Sequence, residues 1–85
     1  VIRVSDSLRQ EIANEIERAV AKHGEQKQLP DSVWCCIAAE EMGEIAEGVL
    51  KEGFEGAGPA HTDEEIVQLI AVLIQWLEIR RGRKA

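Results

Sequence analysis

Apolar residues recur along the chain at intervals of three and four, a pattern that predicts three helices joined by two polar or glycine-rich connections. Leu8, Ile12, Ile16, Ala19 and Val20 make the first stripe. Ser5 or Asp6 offers its N-cap, and Gly24 is a natural stop after Lys22 and His23, so the first helix is predicted over residues 6–23. The segment "EQKQLPDS" is polar and carries a proline, after which Asp31 or Ser32 can cap a second helix running to about residue 52. "GFEGAGPAH" then reads as a flexible loop. Thr62 begins "TDEE", a capping-box pattern with Glu65 at the third helical position, followed by the apolar run "IVQLIAVLIQWLEI" and a third helix over about 62–81.

Composition agrees with this all-α reading. The core-forming residues are mostly Ile, Val, Leu and Ala, with two Trp, one Phe and no Tyr, which disfavours a β-sandwich or barrel. A chain of 85 residues makes one domain and buries a small share of its surface, so a helical bundle whose core is completed by self-association is expected. No apolar run approaches the roughly 20 residues of a membrane span, which leads us to expect a soluble, cytoplasmic protein.

The formal net charge is −6 with acids spread along the chain, a poor surface for a nucleic-acid duplex. The basic end "RRGRK" reads as a solvated terminus, with a phosphate contact as the alternative. Cys35 and Cys36 are adjacent, cannot readily bridge each other within a helix and lack the spaced partners of a zinc site. They are expected as reduced thiols at or near the core.

The carboxylates break the pattern. At roughly 100° per residue, Trp34, Ile37, Ala38, Ile45 and Val49 share one face of the second helix, and Glu41 falls among them. Glu44 lies at the edge of that face, while Glu40 and Glu47 point toward solvent. In the third helix Glu65 projects onto the side of Leu69, Val72 and Trp76, with Gln68 one turn on toward the polar edge. A lone charge on an apolar face is costly and is normally paired, hydrogen-bonded or bound to metal. Acids meeting across two helices would suit a hard cation such as Mg²⁺. Plainer readings stand beside this one: Glu65 closing a capping box with Thr62, Glu41 pairing with a cation of the first helix or of a second subunit, and Glu44 as a rim acid. Convergence would also require an axial offset of roughly 7–12 Å in the hairpin of the last two helices.

"EEMGE" at 40–44 and "EIVQ" at 65–68 resemble the E-E-x-x-E … E-x-x-D pattern of the MazG-like all-α nucleotide pyrophosphohydrolases. "AKHG" before the proline-containing linker, "IAAEEMGEIAEGV" and "QLIAVLIQWLE" extend the likeness to small single-domain members, over about residues 11–80. The resemblance implies a single MazG-like helical domain across 1–85 that assembles as a homodimer or homotetramer. It also implies Mg²⁺-dependent hydrolysis of a (d)NTP to (d)NMP and pyrophosphate, a nucleotide-pool housecleaning activity. Glu41, Glu44 and Glu65 would be the catalytic metal ligands, with Gln68 at the family's aspartate position. That is a departure, because an amide oxygen can coordinate Mg²⁺ or hold a water but brings no charge and cannot act as a base.

Trp34 could stack on a nucleobase, or simply fill the core. Lys22 and Lys51 could contact phosphates, or be solvated; His23 is read as a helix-terminal residue. The alternative to an enzyme is a non-catalytic helical oligomerisation or nucleotide-binding module with a degenerate metal site. A di-iron bundle would need Glu-x-x-His pairs, which neither His23 nor His61 supplies.

Overall fold

The computed structural model describes residues 2–55 and 60–84 and is all-α: α1 (Asp6–His23), α2 (Asp31–Glu55) and α3 (Ala60–Lys84), with no strand among the described residues. Helix α3 is central. Both α1 and α2 pack on it, and among the described residues they make no close backbone approach to each other. A groove therefore separates α1 from α2, floored by α3. The bounds of α1 follow from its caps: Ser5 Oγ accepts from the Leu8 N–H at 3.2 Å, and Gly24, at φ 76°, donates its N–H to the Val20 carbonyl at 2.8 Å.

The other two helices extend beyond their predicted bounds. Residues 53–55, 60 and 61 of the expected loop are helical, while 56–59 lie outside the described residues. Thr62 is consequently the third residue of α3 and not its cap, which removes the capping-box reading of Glu65. Its side chain is committed elsewhere. Thr62 is buried at 6% exposure, and a Cβ built on Gly48 of α2 would stand 2.6 Å from its Oγ1. Only a glycine at 48 lets the two helices approach this closely.

Trp34, Ile45 and Ala71 are the buried apolar residues, and the α1 stripe is half-buried against α3. Val49, assigned by periodicity to the inner face of α2, is exposed, as are Met42 and Leu50; Ile66, Leu73, Ile74 and Leu77 form a matching exposed set on α3. Cys35 and Cys36 are free thiols, as expected, but they are exposed and not packed at the core. With Trp34 turned inward, the next two residues at 100° steps rotate away from the core. No helix among the described residues is long and apolar enough to cross a membrane.

Charge fastens the far end of α3. Asp31 Oδ1 accepts from Trp76 Nε1 at 2.9 Å and from Arg83 at 3.0 Å, and Oδ2 accepts from Arg80. Arg83 also donates to the carbonyls of Lys27 and Leu29. The basic end is thus not a wholly solvated terminus: Arg80 and Arg83 are tied to the α1–α2 connection, and Arg81 lies 3.7 Å from Glu78.

The Trp76 N–H, followed by the charges of Arg80 and Arg83, holds the Asp31 carboxyl below the ordinary aspartate value. Because the folded pKa is the lower one, the contribution is fully present above about pH 4 and is lost as pH falls through the folded value. Asp31→Asn is expected to melt below wild type at pH 7, with the gap narrowing as the pH of the melt is lowered through and beneath the ordinary aspartate value. A gap independent of pH would assign the loss to packing instead.

Candidate functional site

Gly48 sets the register between the two acidic segments. A Cβ there would lie 3.7 Å from Glu65 Oε2 as well as against Thr62, so Glu65 stands level with Gly48. Glu44 is then one turn, about 6 Å, to one side, and Glu52 one turn to the other. Glu41 lies about 10 Å back along the α2 axis. The hairpin brings Glu65 closer in register to Glu44 and Glu52 than to Glu41.

Glu65 is buried at 9% exposure. Its Oε1 lies 2.9 Å from His61 Nε2, one turn earlier on α3, and its Oε2 is buried with no hydrogen-bond partner. Glu41 is half-buried, and its Oε2 is also buried without a partner. Burial, then the negative charges of Glu44, Glu65, Glu15 and Glu40, raises the Glu41 carboxyl above its ordinary value.

The cation of α1 nearest to this site does not neutralise it. Arg18 is paired with Glu15, its Nε 3.0 Å from Glu15 Oε2, and that hydrogen bond holds the Glu15 carboxyl low. Among the described residues Glu41 takes part in no ion pair, so the alternative of a salt bridge to the first helix is not realised.

The remaining predicted residues fall in distinct places. Glu44 is exposed at the rim, and Glu40 and Glu47 are exposed as their wheel positions require. Gln68 is half-buried and lines the groove of about 300 Å³ between α1 and α2, together with Glu15, Arg18 and Glu41. His23 is exposed at the same groove. Trp34 borders it too, but at 2% exposure its ring belongs to the core, so it offers no face for stacking on a base. Lys22 and Lys51 are exposed.

Two groups escaped the sequence reading. Glu52 is half-buried with Oε1 buried and unpartnered, and it continues the inner spacing Glu41, Ile45, Gly48 by one more turn. His61 meets Glu65 at i, i+4, a spacing legible in the sequence once both residues are known to be helical.

These donors suit a hard cation. Anionic oxygens on facing helices, withdrawn from water and left without partners, are what an oxygen-seeking divalent ion would satisfy. They stand spread along the seam, however: among the described residues no three His, Cys, Asp or Glu side chains are gathered closely enough to hold a metal ion. Comparison with protein-family models, with curated proteins and with solved structures gives no match to this chain.

Proposed function

We propose that this chain is a Mg²⁺-dependent nucleotide pyrophosphohydrolase of the MazG-like kind, cleaving a (d)NTP to (d)NMP and pyrophosphate in the cytoplasm. One observation carries the reading. Glu41 and Glu65, at matching positions of the two halves of the acidic pattern, each keep a buried carboxylate oxygen without a partner, and Glu41 is pushed toward protonation by burial and then by its acidic neighbours. An enzyme that must hold a divalent cation has reason to retain such repulsion; a purely structural seam has none.

Bound Mg²⁺ supplies charge neutralisation at the phosphates and activation of water. Glu41 and Glu65 would hold the ion from the two facing helices, and Glu44 would complete the carboxylate set from the rim. One of these glutamates would accept the proton from the attacking water, and the Gln68 amide would orient a water in the α1–α2 groove without serving as a base. Lys22 and Lys51 offer solvent-facing charge to the triphosphate. The test is pyrophosphate release from a panel of NTPs and dNTPs, with and without Mg²⁺. Metal-dependent release upholds the reading. No release from any nucleotide by folded protein transfers it to the non-catalytic binding module, the reading favoured by the neutral residue at 68 and the dispersed acids.

The active form in this proposal is a homo-oligomer. A folded monomer of 9.4 kDa exposes about 5,000 Å², whereas this chain exposes 6335 Å². The excess of about 1,300 Å² is of the size that one partner of an obligate interface would cover. Ile66, Leu73 and Leu77 on α3 recur at heptad-like spacing on the uncovered surface, as do Met42 and Val49 on α2. Leu73→Glu is expected to sediment as a monomer where wild type sediments as a dimer or tetramer. A wild type that is monomeric at micromolar concentration would refute the assembly.

A further inference from the structure

We propose that Glu52 is a further cation ligand, which with Glu65 holds a divalent ion at the α2–α3 seam near Gly48. The proposal rests on the metal-binding reading above and extends it by one helical turn beyond the acidic pattern. Glu65 is nine-tenths buried and its unpartnered Oε2 is directed at Gly48, 3.7 Å from where a side chain would begin. Glu52 lies one turn further along the same face of α2 and presents a second buried, unpartnered oxygen, Oε1. Thr62 Oγ1 is packed at the same glycine and adds a neutral oxygen. A carboxylate on each helix and a hydroxyl together provide hard donors for a small divalent ion.

This arrangement also answers the loss of charge at position 68. Gln68 leaves the pattern with three carboxylates, and Glu52 restores a fourth from the opposite side of Glu65. Glu52 cannot share an ion with Glu41, because eleven residues of helix separate them by about 16 Å. Its ion is therefore one that Glu65 reaches from the end of the seam nearer the α2–α3 connection. The neutral Gln68 and the acidic Glu52 are parts of one displacement of negative charge along the seam.

The test is Mn²⁺ binding by electron paramagnetic resonance, with the thermal shift in Mn²⁺ as a second readout, on wild type, Glu52→Gln, Glu65→Gln and the exposed control Glu47→Gln. Glu52→Gln is expected to bind Mn²⁺ at least about tenfold more weakly, since even outer-shell losses commonly cost that much. It should melt no lower than wild type without metal, and Glu47→Gln should bind as wild type does. If Glu52→Gln binds Mn²⁺ normally while Glu65→Gln does not, Glu52 is not a ligand and the pyrophosphohydrolase reading survives. If wild type itself fails to bind Mn²⁺ at millimolar concentration, both fall.

Discussion

Glu41→Gln is expected to melt at a higher temperature than wild type in metal-free buffer and to gain less from Mg²⁺ than wild type does. In the folded chain burial and four acidic neighbours raise the Glu41 carboxyl, so the folded state binds its proton more tightly than the unfolded state does. Stability then declines as pH rises from the unfolded pKa through the folded one, and the full cost is present above the folded value. A neutral amide of the same shape removes that cost at pH 7. In wild type the ion should do the same work. Mg²⁺ at ten times its Kd stabilises a protein that binds it only when folded by about 1.4 kcal/mol, or roughly 6–11 °C in a domain this small. Pyrophosphate release by the variant should fall by a factor of about 100 or more, as when one electrostatic group aimed at a transition state is lost. Differential scanning calorimetry with and without Mg²⁺ reads the stability half. An unchanged metal response in Glu41→Gln would remove Glu41 from the site.

Trp34→Ala should be the most damaging of the core truncations. The ring is the largest fully buried side chain, and its loss is expected to cost about 3–5 kcal/mol. Small domains have only about 5 kcal/mol or somewhat more in total, so the variant should be largely unfolded at 37 °C. Trp34→Phe should cost much less, since it also deletes an indole N–H that is buried without a partner. Val49→Ala, on the same helix but exposed, should change the monomer's own stability by no more than about 0.5 kcal/mol. Urea unfolding of the three variants ranks them. An unchanged midpoint for Trp34→Ala would mean that the ring is not a core element, and would reopen stacking on a nucleobase.

Local signals were legible in the sequence and long-range ones were not. Ser5, the Lys22–His23 pair and Gly24 placed both ends of α1, because a cap acts within four residues of itself. The same reasoning failed at Thr62. Its hydroxyl is pressed against Gly48 of another helix, and no rule confined to its own helix anticipates that contact. Glu41 and Glu65 could be located on inner faces by angle alone, and the structure keeps them there. The side of Glu65 on which the next acid stands depended on the α2–α3 register, which Gly48 sets. Arg80 and Arg83 read as a solvated tail because their partner Asp31 is some fifty residues away in the chain. Val49 fell within the angular range of the inner face but turned outward, since a helix that packs only on α3 buries a narrower stripe than one held between two neighbours.

Helix α3 is held at its two ends by different physics. Near its start, Thr62 against Gly48 is a contact of shape, which monovalent salt does not screen. Near its end, Asp31 with Arg80 and Arg83 is a partly exposed cluster of charges, which salt screens over a Debye length of about 10 Å at 0.1 M and about 3 Å at 1 M. Ionic strength is therefore a selective solvent variable for this fold: it loosens the junction where α3 meets the α1–α2 connection and leaves the helical seam at Gly48 closed.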